Sequence, residues 1–193
     1  MDLWGRSGLF FVAVTARLVA TDLGLRGESS VDDAPGPDAG IPQGGVVPYL
    51  IQDGKVHVCL ISLNSQIGWG FPKGTVDPPE TVAAAALREA FEEAGIRGRV
   101  VGDALGGYSY VKRGIRLDVT VFLMAVTAVD PYWPERRQRQ RRFCTVEQAN
   151  LLLAVPGQRL LLDLAMQRIK PPLRAGAELP AAEQPLLGPK KPC

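Results

Sequence analysis

One stretch constrains this chain more than any other. From Gly74 to Ile96 it reads Gly-Thr-Val-Asp-Pro-Pro-Glu-Thr-Val-Ala-Ala-Ala-Ala-Leu-Arg-Glu-Ala-Phe-Glu-Glu-Ala-Gly-Ile. Glu89, Glu92 and Glu93 stand at i, i+3 and i+4. On a helix with a 3.6-residue period they fall within an arc of roughly 100°. Carboxylates that close repel one another, so a stable helix keeps them only if something cationic sits on the cluster. Oxygen donors without His or Cys suit hard cations such as Mg²⁺ or Mn²⁺. Magnesium keeps part of its water shell and takes remaining ligands from phosphates. The cluster therefore reads as a place to open a phosphoanhydride, and the competing reading is a solvated acidic helix face.

The rest of the helix bears on that choice. Ala83, Leu87, Ala90, Phe91 and Ala94 fall opposite the carboxylates and predict an apolar stripe for docking. Val82, Ala85 and Ala86 share the carboxylate side, where small side chains are expected to leave room for a bulky anion. Pro78-Pro79 marks the helix start and Gly95 is its expected C-cap.

Around this stretch the pattern is strand-rich. Val46–Ile51 and Val56–Leu63 predict a hairpin turning at Asp53-Gly54, and Trp69–Gly74 reads as a loop. Arg99–Val111 and Leu117–Val126 predict strands around Lys112-Arg113-Gly114. Thr145-Val-Glu-Gln148 is a capping-box signature for a helix running to about Ala154, broken by Pro156-Gly157. A second helix is predicted over Arg159–Ile169, with Leu160, Leu161, Leu164 and Ala165 on one side. The order implies an α/β (α+β) fold, a mixed sheet sandwiched between helices. Residues 1–40 are expected to be a poorly ordered N-terminal extension, 41–170 the domain, and 171–193 a disordered tail of Pro, Ala, Gly and Leu.

Composition excludes some classes. A net charge of +2 does not argue for nucleic acid or a membrane surface as partner. There is no apolar run of 18 residues for a transmembrane helix, and the Leu9–Val14 patch, flanked by Asp2 and Arg17, is a poor signal peptide. Cys59, Cys144 and Cys193 form no CxxC pair and read as reduced thiols in a cytoplasmic setting. A single histidine, His57, cannot build a zinc site.

The complete spacing is Gly, five residues, Glu, seven residues, Arg-Glu, an apolar residue, any residue, Glu-Glu, any residue, Gly and an apolar residue. Gly74, Glu80, Arg88, Glu89, Ala90, Glu92, Glu93, Gly95 and Ile96 fill every slot. This resembles the signature of the Nudix hydrolases, whose fold is an α/β/α sandwich with a mixed sheet. The resemblance implies Glu89, Glu92 and Glu93 as ligands of Mg²⁺ or Mn²⁺, with the backbone carbonyl of Lys73 as a further candidate. It implies that Arg88 orients a glutamate through a charge-assisted hydrogen bond. Glu89 or Glu93, or a nearby loop carboxylate, would be the general base. Glu80 would support the loop and helix start, and Gly74 a tight turn near the metal. Asp103, Asp118 and Asp130 are possible extra ligands.

A second charged feature lies outside the box. Arg136, Arg137, Arg139, Arg141 and Arg142 put five arginines into seven residues. With Lys112, Arg113 and Arg116 they read as two basic segments near the active face, and with the Lys73 side chain as a clamp for a highly phosphorylated substrate. A solvated basic loop is the plainer alternative. Nucleic acid ranks lower, because only Phe143 adjoins the arginines and gives a poor stacking platform. Phe122–Asp130, Tyr132-Trp-Pro-Glu, the arginines, Phe143 and Ala154-Val-Pro resemble the diphosphoinositol polyphosphate and diadenosine polyphosphate hydrolase branch over roughly residues 43 to 168. One departure is Phe-Pro-Lys-Gly where that branch carries a glycine run. Tyr108 and Tyr110 are candidates for stacking on an adenine or for packing in a strand.

Three functions compete: hydrolysis of a phosphoanhydride in a small polyphosphorylated molecule, sanitising of oxidised nucleoside triphosphates, and non-catalytic binding of a nucleotide or RNA. The complete set of box glutamates favours an enzyme.

Overall fold

The computed structural model describes residues 40–63 and 68–169. The expected extension and the expected tail lie outside these residues, apart from Gly40 and the edge of the domain. Runs of apolar and small residues, buried continuously from Gln43 to Pro48 and from Val58 to Ile61, give β1 (Ile41–Gln52) and β2 (Lys55–Ser62), joined through Asp53 and Gly54 at positive φ. Two short strands follow, β3 (Trp69–Gly70) and β4 (Lys73–Thr75), then α1 (Val82–Ala94). β5 (Ile96–Val100), β6 (Gly106–Lys112), β7 (Ile115–Val129) and β8 (Arg141–Thr145) lead to α2 (Val146–Leu152) and α3 (Pro156–Arg168).

All the strands join one mixed sheet with the path β3-β2-β1-β7-β5. β1 and β7 run parallel at its centre, with Gly45 beside Val121 and Val47 beside Leu123. β7 is long enough to pair with both β6 and β5 along its other edge, and β4 continues beside β1 where β2 leaves off. One face of the sheet, with Val47, Val58, Leu60, Val119, Val121 and Leu123, packs under α2 and α3. The other face, with Val46, Cys59, Ile61 and Met124, packs under Ala86, Ala90 and Ala94 of α1. The predicted α/β/α sandwich is present.

Local chemistry sets the ends of α1. Thr81 Oγ1 accepts from the Ala84 amide at 3.2 Å, and Gly95 closes the helix in the left-handed region (φ 62°, ψ 32°) with its N–H on the Phe91 carbonyl. The buried face of the helix differs from the expected one. Ala85 and Ala86 are fully buried, so they do not make room for an anion. Leu87 and Phe91 of the predicted stripe are only half-buried. The seam runs through Ala86, Ala90, Glu93 and Ala94 because small side chains let the helix backbone approach β1 closely. At Gly44 a Cβ would collide with the Val82 carbonyl and the Ala86 amide.

Other elements also depart from expectation. The Trp69–Gly74 loop contains β3 and β4. The predicted Arg99–Val111 strand is interrupted between β5 and β6, where Gly102 takes φ 69°. The capping box opens α2 as predicted, but α2 ends at Leu152. Pro156 starts α3 rather than merely breaking α2, since proline suits the first helical turn. Leu161 and Ala165 of the predicted side pack as expected and Leu162 joins them, but Leu160 is 41 % exposed.

The close contact at Gly44 makes a prediction. Gly44→Val should destabilise the fold by about 2–3 kcal/mol through overpacking, measured by urea unfolding.

Candidate active site

The box residues converge where β4 and the C-terminal half of α1 flank β1. Gly74 pairs with Gly44 on β1, and Lys73 pairs with Gly45. A Cβ at Gly74 would fall inside the Glu89 carboxylate, so glycine there provides the space that Glu89 occupies. Glu93 is 3 % exposed, and one of its oxygens accepts the Lys73 amide at 2.9 Å. Its other oxygen pairs with Arg139. Burial pushes the Glu93 carboxyl up to about 7, against the opposing charges of Arg139 and Lys73. Burial also raises the Glu89 carboxyl, against its hydrogen bond and charge contact with Arg88, with Glu92 and Glu135 adding to the rise.

Arg88 ties the box together. Its guanidinium donates to Glu89 at 2.8 Å, Glu92 at 3.0 Å, Glu80 at 2.8 and 3.3 Å, and the Thr75 carbonyl at 2.8 Å. Hydrogen bonding to Glu80 is the chief cause holding Arg88 charged, and it outweighs partial burial. Glu80 in turn accepts the Asp77 amide at 2.8 Å and sits in the turn before the helix. Its carboxyl is lowered by the same arginine.

A fourth carboxylate joins the cluster from outside the box. Glu135 donates its amide to the Glu92 carbonyl at 3.0 Å and shares Arg139 with Glu93. Sequence reasoning passed over it in favour of Asp103, Asp118 and Asp130. Asp118 bonds Ser109, Arg116 and the Gly40 amide, while Asp130 pairs with Arg97. Asp103 is exposed and its carbonyl accepts from Arg168. None of these three contacts the box carboxylates. The usable signal was the Glu135–Arg139 spacing of i, i+4, which pairs the acid with the arginine that reaches Glu93.

The five arginines do not act as one clamp. Arg139 is spent on Glu93 and Glu135. Arg141 caps α1 from outside, donating to the carbonyls of Ala94 (2.6 Å), Gly95 (3.3 Å) and Asp130 (2.9 Å), and lies over Trp133 at 4.3 Å. Arg136 lies over Tyr132 at 4.9 Å, and Arg136, Arg137 and Arg142 are exposed. Lys112 and Arg113 are exposed at the β6–β7 turn, and Arg116 pairs with Asp118. Lys112 and Arg113 thus sit on the β6–β7 turn, whereas Arg136 to Arg142 follow β7 and lead into β8, which pairs with β2.

The tyrosines also separate. Tyr108 is 5 % exposed and its Oη accepts from Gln158 at 3.0 Å, so it packs in the core. Tyr110 stays partly exposed, its ring 6.2 Å from that of Tyr108. Lys73 Nζ donates to Tyr110 at 3.0 Å. Burial would lower the Lys73 ammonium, but Tyr108, Tyr110 and Glu93 together raise it.

The donor set fits a hard divalent cation. Glu89, Glu92 and Glu93 offer only oxygen, Gly74 gives Glu89 the room to lie beside the others, and the buried Glu93 carboxylate favours a cation over solvent. Among the described residues no three acidic, His or Cys side chains form a ready-made metal cage. Arg88 stands between Glu89 and Glu92, and Arg139 holds the second oxygen of Glu93. Lys73 gives Glu93 its amide; its carbonyl as a ligand rests on the family resemblance.

A carboxylate cluster on a helix, set against a strand of a mixed sheet, is the arrangement that the Nudix resemblance implies. The chain belongs to the Nudix hydrolase family: residues 40–165 match the NUDIX domain. It is 34 % identical over 143 residues to Nudix hydrolase 17, mitochondrial, of Arabidopsis thaliana, a match covering 69 % of this chain and 78 % of that protein. Nudix hydrolase 16, mitochondrial, of the same plant is 36 % identical over 107 residues, covering 51 % of this chain and 59 % of that one. The crystal structure of C. elegans Ap4A hydrolase superposes with a TM-score of 0.57 at 25 % identity, covering 67 % of this chain and 98 % of that one. The NUDIX domain of Shewanella oneidensis NrtR, complexed with ADP ribose, shares the fold at a TM-score of 0.57 and 13 % identity, covering 72 % of this chain and 94 % of that one.

The Arg139–Glu93 pair yields a test. In metal-free protein, Arg139→Ala should lower stability by about 3 kcal/mol, because it strands a buried carboxylate. Adding Glu93→Gln should recover most of that loss, and denaturant unfolding in EDTA reads both.

Proposed function

We propose that this chain is a divalent-metal-dependent hydrolase that opens phosphoanhydride bonds in small polyphosphorylated molecules, with dinucleoside polyphosphates and diphosphoinositol polyphosphates as the substrate classes. The observation that carries the reading is the buried Glu93 carboxylate, held by the Lys73 amide beside Glu89 and Glu92. The similarity to an Ap4A hydrolase along nearly all of that chain supports the first substrate class.

In this reading Glu89, Glu92 and Glu93 hold Mg²⁺ or Mn²⁺, with Glu135 close by. A bound metal of this kind neutralises phosphate charge and acidifies a water. Arg88 fixes the direction of Glu89 and Glu92 through its two hydrogen bonds. Glu89 or Glu93 takes the proton from the attacking water. The exposed Arg137 and Arg142 supply cationic contacts for phosphates. Hydrolysis of damaged nucleoside triphosphates is the second reading, since the same carboxylates would serve it.

We also place the protein in a reducing, cytoplasmic setting. Cys59 and Cys144 are free, and burial pushes their thiols up to about 12 and about 11, which keeps them unreactive. Several plant relatives carry mitochondrial names, so cell fractionation decides between the two compartments. No described helix is long and apolar enough to cross a membrane.

The test is turnover of diadenosine tetraphosphate, a diphosphoinositol polyphosphate, ADP-ribose and an oxidised deoxynucleoside triphosphate, with Mg²⁺ and with Mn²⁺. The first two should be preferred, and Glu93→Gln should lower kcat on the order of 10²–10³-fold, with Arg139 still paired to Glu135. Binding of nucleotide with no turnover of any substrate would replace the enzyme with a binding module.

A further inference from the structure

On the sheet face opposite α1, a line of polar side chains crosses three strands. Lys73 Nζ on β4 donates to Tyr110 Oη on β6 at 3.0 Å. Tyr110 Oη donates to Gln43 Oε1 on β1 at 3.0 Å, and Gln43 Nε2 reaches Thr75 Oγ1 at 3.5 Å. Gln43 is only 7 % exposed, so its amide needs these partners. β4 pairs with β1 and β6 pairs with β7, so the Lys73–Tyr110 bond joins two strands that share no ladder.

Such a bond matters here because β4 is short. Its three residues meet β1 at Gln43, Gly44 and Gly45, and the two glycines bring no side chains to grip it. Lys73 is used at both ends: its amide holds the Glu93 carboxylate at 2.9 Å, while its ammonium is held by Tyr110 and lies 4.9 Å from the Tyr110 ring centroid. Displacing the ammonium would loosen the backbone that aims the carboxylate.

We propose that Tyr110, steadied by Gln43, is a positioning residue: it latches Lys73 so that the Lys73 amide fixes the direction of Glu93. The proposal rests on reading Glu93 as a metal ligand, and it gives Tyr110 a role distinct from stacking on a substrate base.

The experiment follows amide hydrogen exchange at Lys73 in metal-free protein by NMR, Mn²⁺ affinity by EPR, and kcat and KM on the preferred substrate. In Tyr110→Phe, exchange at Lys73 should quicken, Mn²⁺ should bind about tenfold more weakly, and kcat should fall with KM unchanged. Lys73→Met cuts the same latch from the other side and keeps the test alive if the first variant folds poorly. The double variant should be no worse than either single one. Unchanged Lys73 exchange and Mn²⁺ affinity in both single variants would overturn the proposal, as would a rise in KM alone, which would make Tyr110 a substrate contact. If wild-type protein hydrolyses none of the panel while Tyr110→Phe still quickens exchange and weakens Mn²⁺ binding, the enzymatic reading fails and the latch stands.

Discussion

The close approach of α1 to β1 is the constraint on which the rest of this structure depends. Gly44 lets the helix backbone lie against the strand, and Ala86, Ala90 and Ala94 fill the seam. That proximity carries Glu93 into a nearly dry position where it meets the Lys73 amide. A carboxylate in such a place needs compensation, and Arg139 and the amide provide it. Holding Glu93 there also sets where Glu89 and Glu92 lie, because the three share one helix.

Two arginines, Arg88 and Arg139, divide the work of holding the carboxylates. Arg88 gathers Glu80, Glu89 and Glu92 around one guanidinium, which offsets the repulsion between the two helix carboxylates it holds. Arg139 does the same for Glu93 and brings in Glu135 from the loop. Binding a divalent cation would then exchange arginine partners for metal bonds, with the arginines left to face substrate phosphates. Arg141 belongs to the fold, since it satisfies carbonyls at the end of α1 that have no helical partners.

Much of this was legible in the chain. The helix, its glycine C-cap, the capping box at Thr145 and the layered architecture follow from local rules that tertiary packing did not override. The identity of the box residues also follows, because their spacing is fixed by one helix and one turn. What escaped was whatever depends on long-range geometry. The buried side of α1 was misjudged because alanines carry little hydrophobic signal, so only the glycines of β1 decide which face goes inward. The role of Glu135 depends on a loop returning beside α1 after a 15-residue strand. Tyr108 and Tyr110, two residues apart on one strand, part company because α3 covers only the first, through Gln158.

The most direct test of the account is an anomalous difference map from crystals grown with Mn²⁺ and a non-hydrolysable dinucleoside polyphosphate. The account predicts manganese bound by Glu89, Glu92 and Glu93, at about 2.0–2.2 Å from oxygen as for other small hard cations, with substrate phosphate completing its shell and Arg88 turned partly away. Nucleotide bound with no manganese among these carboxylates, or manganese held elsewhere on the chain, would contradict it.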